Sequence, residues 1–519
     1  MPPTFHYGTD HLTVPIVLEI AAGKCKALLS DQAISRINAS EAAVQEIVAS
    51  NKTVYGINTG FGILANTAIS AADTATLQYK ILQSHSVGVG DPIPIEVAKL
   101  MLITKVHALA QGFSGVQLST IERIIWHIEN DVVPVVPEKG SVGASGDLAP
   151  LAHLFLPLIG LGELFYKGSR YRTTDLFQTL GIQPIQLGPK EGLALINGTQ
   201  FILSFAVKAV QRMQNCLDAA DIIGAMSLEA LTGTKAPFDE RLHALRPFRG
   251  NLLVAQRLRL LLNESEIMQS HVDCGRVQDP YSLRCMPQVH GASRNAWLHL
   301  KECTETELNA VTDNPIILSA DDTISGGNFH GQPLALPLDY ACFAAAEIGN
   351  ISDRRCYLLL EGKWGLPVLL MNNVGLNSGF MIPQYTTAAL VTENKTLCFP
   401  SSADSIPTSL GQEDHVSMGS ISGRKLNRVL DNLEYIMAIE LLSACQAIEF
   451  RRPLKSSALL EMAHDHVREL VSFAEEDRIF ADDINKVAGI IKDFSFVEKL
   501  NQLAKEKKIG LMEGFGEFC

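Results

Sequence analysis

Helical spacing of apolar residues dominates the chain. Over 30–50, Ala33, Ile34 and Ile37, then Ala42, Val44, Ile47 and Val48 recur at intervals that predict an amphipathic helix. Residues 96–112 and 117–130 carry the same pattern. Four later segments are apolar nearly all round: 199–232, announced by an Asn-Gly-Thr signal and stopped at Gly233; 338–361, between Pro337 and Gly362; 376–397; and 425–449. Helices with no polar face belong inside a bundle, and their Ala, Ser and Gly content lets neighbours approach closely. Such central helices often meet a second subunit as well, so a homo-oligomer is expected. Alternating strand patterns are few and short. The expected fold is all-α, a long central helical bundle over 111–519 preceded by a loop-rich mixed region over 1–110. Glycine-rich stretches at 55–62, 85–90, 140–146, 325–331 and 375–379 interrupt the helices. Loops of that kind place backbone and side chains against something.

Composition narrows the classes. The 519 residues are 47% hydrophobic and 19% charged, enough for a large core. The net charge of −13 is spread without a basic block, so neither nucleic acid nor a membrane is an expected partner. Cysteines at 25, 216, 274, 285, 303, 342, 356, 398, 445 and 519 never form a C-x-x-C pair. Reduced thiols are expected rather than disulfides or a metal site. The opening MPPTFHYGTDHL lacks the charged flank and apolar run of a signal peptide. The most apolar stretch, 148–161, is too short to span a bilayer and contains Pro150, His153 and Pro157. It reads as a buried helix, and the protein as cytoplasmic.

The segment GSVGASGDLAP at 140–150 crowds small residues at one point ahead of a helix. Composition alone makes it a glycine-rich turn with Asp147 as a helix N-cap. It is neither a Walker loop nor a G-x-S-x-G elbow. Its chemical possibility is internal cyclisation. The amide nitrogen of Gly146, with no side chain to block it, attacks the carbonyl carbon of Ala144. Loss of one water closes a five-membered ring, and loss of a second, from Ser145, leaves an exocyclic C=C. The product, 4-methylidene-imidazol-5-one, is a strong electrophile, which ordinary side chains do not provide.

GSVGASGDLAPLAH, starting at 140, resembles the signature of the aromatic amino acid ammonia-lyase family, and the resemblance returns at further motifs in the same order along nearly the whole chain. It implies the all-α fold of the fumarase/aspartase-like superfamily, a homotetramer with active sites shared between subunits, and the methylidene-imidazolone formed autocatalytically from Ala144, Ser145 and Gly146. The resemblance makes Tyr55, in YGINTGFG, the base that takes the β-proton. Asn197, in EGLALINGTQ, hydrogen-bonds the prosthetic group or substrate; alone it reads as a helix cap. In QDPYSLR, Gln278 and Arg284 belong to the carboxylate site, Arg284 offering a bidentate fork, while Tyr281 assists proton transfer. Asn314, Phe329 and Asp147 support the prosthetic group.

Two places speak to the substrate. Ser84 and His85 occupy the ring-selectivity pair, which is Ser-His in the family's histidine lyases and Phe-Leu in its phenylalanine lyases. In QEDH, Gln412 and Glu413 stand where phenylalanine and tyrosine lyases carry an Asn-Gln-Asp-type sequence. A carboxylate at Glu413 suits an imidazole N–H and would be an unpaired charge beside a phenyl ring. Met381 resembles a residue lining the same pocket. The expected reaction is non-oxidative deamination of L-histidine to trans-urocanate. The alternatives are a tyrosine- or phenylalanine-acting lyase or aminomutase of the same family, or an inactive structural paralogue.

Overall fold

The computed structural model describes residues 3–50, 54, 56–57, 59, 74–272 and 275–511. The fold is all-α: long helices carry the chain, and among the described residues the strands form only two- and three-stranded sheets. Packing divides the chain into two units assembled from separated stretches. The first holds 1–208, 300–339 and 400–424, and the second 209–299, 340–399 and 425–519.

In the first unit, strands Thr4–Tyr7 and Lys26–Leu29 pair in parallel. The amphipathic pattern at 30–50 becomes the helix Asp31–Ala49, started by Ser30, whose side chain accepts from Ala33 N at 3.2 Å. Its Val44 and Ile47 pack with Ile57 and Ile317. The pattern at 117–130 becomes Leu118–Glu129. The pattern at 96–112 becomes Ile95–Leu109, which is not amphipathic in place: every residue from Val97 to Leu109 is buried, Lys105 and His107 included. The stretch at 148–161 is mostly buried, with Leu148 and His153 half-buried and Leu161 exposed, but its α-helix stops at Phe155 and continues as a 3-10 turn, Leu156–Ile159. Pro157 in that turn has no N–H for a further i→i−4 bond.

The four long apolar segments are all helices, with shifted ends. They run Gln200–Ala230, Gln332–Leu360, Met381–Leu397 and Gly419–Glu449. Pro337 lies inside the Gln332–Leu360 helix rather than at its start. It sits in the second turn, where the missing N–H forfeits one backbone bond. Residues 376–380 are not helical, because the chain turns there before Met381. Full burial of these helices does not hold throughout. Met381–Leu397 buries only Pro383, Thr387 and Asn394, leaving Ile382 and Tyr385 exposed, and Tyr340, Phe343 and Tyr357 are exposed on Gln332–Leu360.

The second unit has a polar core centred on Asp221. Asp221 accepts from Arg257 Nε at 2.8 Å, Arg294 Nη2 at 2.6 Å and His290 Nδ1 at 2.8 Å, all buried. Burial works against this carboxylate, but Arg294, the His290 bond and Arg257 hold its pKa well below the usual range. The eight described cysteines are free thiols. Among the described residues, no helix is long and apolar enough to cross a membrane.

Candidate active site

The Ala-Ser-Gly segment folds back on itself. Ala144 and Gly146 face each other as an isolated antiparallel bridge, and Gly146 pairs in turn with Gly198. Gly146 has φ +76°, and a Cβ there would lie 2.1 Å from Gly198 O, so no other residue fits. Ala144 is buried against Val416 and Met418. This is the compact turn that attack of Gly146 N on Ala144 C requires, and the residues present fit a ring closed between them.

Donors converge on the Ser145 carbonyl oxygen. Asn197 Nδ2 donates to it at 2.9 Å and Gly198 N at 3.4 Å. Asn197 is buried, stands at the C-cap of the short helix Glu191–Ile196, and caps no helix with its side chain. Its Oδ1 has no hydrogen-bond partner. On the other side of the turn, Ser145 Oγ donates to Glu413 Oε1 at 3.1 Å, and Thr408 Oγ1 donates to Glu413 Oε2 at 2.9 Å. A carboxylate therefore stands beside the hydroxyl that dehydration would remove.

Asp147 departs from its expected N-cap role. It stands ahead of the helix Leu148–Phe155 without capping it. Its Oδ2 instead accepts from Ile202 N at 3.0 Å, in the first turn of Gln200–Ala230, and its Oδ1 from Ser141 Oγ at 2.9 Å. Its own N–H donates to Gly198 O at 2.7 Å, so the residue staples the triad to the entry of that helix. Complete burial lifts its carboxyl pKa to about 7, against the lowering effect of those hydrogen bonds.

A cavity of about 340 Å³ opens over the triad. Ala144, Ser145, Asn197, Asn314, Phe329, Gln412 and Glu413 line it, so seven expected residues meet there. Asn314 Oδ1 accepts from Gly326 N at 2.7 Å, which ties the 325–331 loop down beside the cavity. His330 and His415 also line it, with rings stacked 5.8 Å apart, as does Asp414. These three were not singled out, although they lie inside the motifs around Phe329 and Glu413. Ser84 and His85 end the helix Thr74–His85 in the same unit. His85 Nδ1 donates to Ile81 O at 2.9 Å, leaving Nε2 as the free acceptor of the neutral ring. Burial lowers its pKa, partly offset by that bond and by the charge of Glu413.

The second unit holds the rest. Gln278 and Tyr281 are exposed there, and the Arg284 guanidinium lies 4.5 Å from the Tyr281 ring centroid, with its Nε lacking a partner. Met381, half-buried, opens the Met381–Leu397 helix. Tyr55 lies outside the described residues.

Comparison with known proteins agrees with this arrangement. The family model of aromatic amino acid lyases matches residues 12–469. A histidine ammonia-lyase of Shewanella sediminis is 47% identical over 488 residues, 93% of this chain and 96% of that protein. The crystal structure of histidine ammonia-lyase from Trypanosoma cruzi superposes with a TM-score of 0.88 at 41% identity, covering 96% of this chain and 95% of that one. Tyrosine aminomutase from Streptomyces globisporus gives a TM-score of 0.91 at 32% identity, covering 97% and 99%. With the match spanning most of the chain and the Ala-Ser-Gly turn at the floor of its cavity, this protein belongs to the aromatic amino acid lyase family.

Proposed function

We propose that the chain is a carbon–nitrogen lyase that eliminates ammonia from L-histidine to give trans-urocanate, using a 4-methylidene-imidazol-5-one made from Ala144, Ser145 and Gly146. The observation that carries this is the folded-back triad whose Ser145 carbonyl takes two donors while its hydroxyl faces Glu413. Cyclisation removes one water from Ala144 O with the protons of the Gly146 and Ser145 amides. Dehydration then removes the Ser145 Cα proton and its Oγ hydroxyl. Once formed, the ring supplies an electron-poor carbon to which an amine adds.

The remaining roles fall to this chain's side chains. Arg284 and Gln278 hold the substrate carboxylate. Tyr55, seconded by Tyr281, takes the β-proton. Glu413 accepts from the N–H of the substrate imidazole, His85 lies beside the ring, and Met381 and Gln412 close the ring pocket. Asn314 and Phe329 pack around the triad, and Asp147 fixes it from behind. The exposed Tyr340, Phe343, Ile382 and Tyr385 support burial against further copies of this chain, as a homotetramer with shared sites. A cytoplasmic location fits the reduced thiols.

The family also contains enzymes acting on tyrosine and phenylalanine, and Glu413 argues against those substrates here. Once Ser145 has lost its hydroxyl, Glu413 Oε1 would face a phenyl ring with no donor, only Oε2 keeping Thr408 Oγ1. The test is to offer purified protein L-histidine, L-tyrosine and L-phenylalanine separately and follow the absorbance of each unsaturated acid. Preferred urocanate formation is the expected result, and preferred turnover of tyrosine would refute the substrate assignment.

A further inference from the structure

Behind the triad lies a buried cation that the reaction scheme has not used. Lys105 sits in the apolar helix Ile95–Leu109, is 1% exposed, and donates from Nζ to Asn197 O at 2.6 Å. That carbonyl belongs to the peptide joining Asn197 to Gly198. The N–H of the same peptide, Gly198 N, donates to Ser145 O, and the side chain of Asn197 donates to the same oxygen. One ammonium thus holds, at its carbonyl end, the peptide unit whose opposite end faces the reacting carbonyl. Its neighbourhood is built around charge. Lys190, fully buried and held at φ +68°, pairs with Asp313 at 2.5 Å and donates to Ser114 O at 3.0 Å. Asp313 in turn accepts from Asn314 N at 2.7 Å, beside the cavity.

We propose that Lys105 is a positioning residue for the Ser145 carbonyl, acting through the Asn197–Gly198 peptide to stabilise negative charge on that oxygen. Hydrogen bonds in a chain polarise one another, and a cation at the carbonyl end of an amide strengthens the N–H at the other end as a donor. Negative charge reaches Ser145 O when its Cα loses a proton in the second dehydration. A more strongly polarised carbonyl also makes the finished electrophile more reactive towards a nucleophile. Burial draws the Lys105 ammonium down to about 7, with Asp313 and Asp147 opposing and Lys190 reinforcing that shift. This inference rests on the proposed cyclisation of the triad.

The test uses the full-length protein with Lys105→Gln and Lys105→Met as neutral replacements and Lys105→Arg as the cationic one, each checked for folding by thermal melting; two neutral variants guard against one failing to fold. Intact mass reports how many waters each chain has lost, and cyanide capture by the matured fraction is timed by the same instrument. We expect the neutral variants to accumulate chains only one water lighter and their matured fraction to capture cyanide at least about tenfold more slowly, with Arg restoring the rate to within about threefold. Neutral variants that mature fully and capture cyanide at the wild-type rate overturn the proposal. So does a folded neutral variant that loses no water at all, which would place Lys105 at ring closure instead. A wild-type chain that has lost no water defeats the cyclisation reading itself, a separate and recognisable failure.

Discussion

At the scale of single residues, the site is a set of groups arranged around one carbonyl and one hydroxyl. Ser145→Ala removes the hydroxyl whose loss makes the C=C. Turnover should fall by at least about 10³-fold, and the mass should show no second water lost. Asn197→Ala removes the nearer donor to Ser145 O, and kcat should drop about 10²- to 10³-fold with a smaller change in KM. A KM effect alone would mean that Asn197 binds substrate and does not serve the triad. Glu413→Gln tests ring reading: it should harm histidine turnover far more than turnover of any phenyl substrate, and equal losses would remove Glu413 from specificity. The residues of this site were legible because they stand in contiguous motifs, such as ASG at 144–146 and QEDH at 412–415. Lys105 was not, because a lysine in a largely apolar helix looks like a solvated position until the stretch from Val97 to Leu109 proves buried on every side. Its partner, the Asn197 carbonyl, is far away in the chain.

At the scale of elements, the entry of the Gln200–Ala230 helix matters most. Asp147 satisfies the Ile202 N–H there, an early backbone donor that the helix leaves unpaired, and it does so from another segment. A pattern of side chains along one stretch predicts a cap for the helix that follows, which is why Asp147 read as the cap of Leu148–Phe155. The same blindness to tertiary context set the start of Gln332–Leu360 at Pro337, although neighbouring packing tolerates a proline in the second turn. The Asp147 arrangement has a pH signature. Its folded pKa of about 7 lies above the ordinary aspartate value. The folded chain therefore binds this proton more tightly than the unfolded one. The resulting stability is complete below the unfolded value of ~3.9 and is lost as pH rises through the folded value. Asp147→Asn keeps an acceptor for Ile202 and a donor for Ser141, but does not titrate. The Tm of the Asn variant relative to wild type should therefore climb between about pH 4 and about pH 7 and level off above, and a flat difference would contradict the buried carboxyl.

At the scale of the whole molecule, the helical character was plain from periodicity, whereas the way separated stretches gather into units was not. Residues 300–339 and 400–424 join the first 208 because Phe329, Asn314 and Glu413 must reach a triad encoded far upstream, and no local pattern announces that. The proposed homotetramer would cover the exposed aromatic residues on Gln332–Leu360 and Met381–Leu397. Light scattering should give four times the 56.5 kDa chain mass. Shared sites make a sharper prediction. Ser145→Ala and Arg284→Ala chains, each inactive alone, should regain activity when co-assembled, because some sites then receive both intact groups. No recovery in a verified mixed oligomer would place each site within one chain. The most direct measurement of all is the intact mass of the purified wild-type protein, with the peptide containing Ser145 isolated and sequenced by fragmentation. The account predicts a chain two waters lighter than its sequence, the deficit confined to residues 144–146. A mass equal to that of the unmodified sequence, in a preparation that still converts histidine to urocanate, would contradict it.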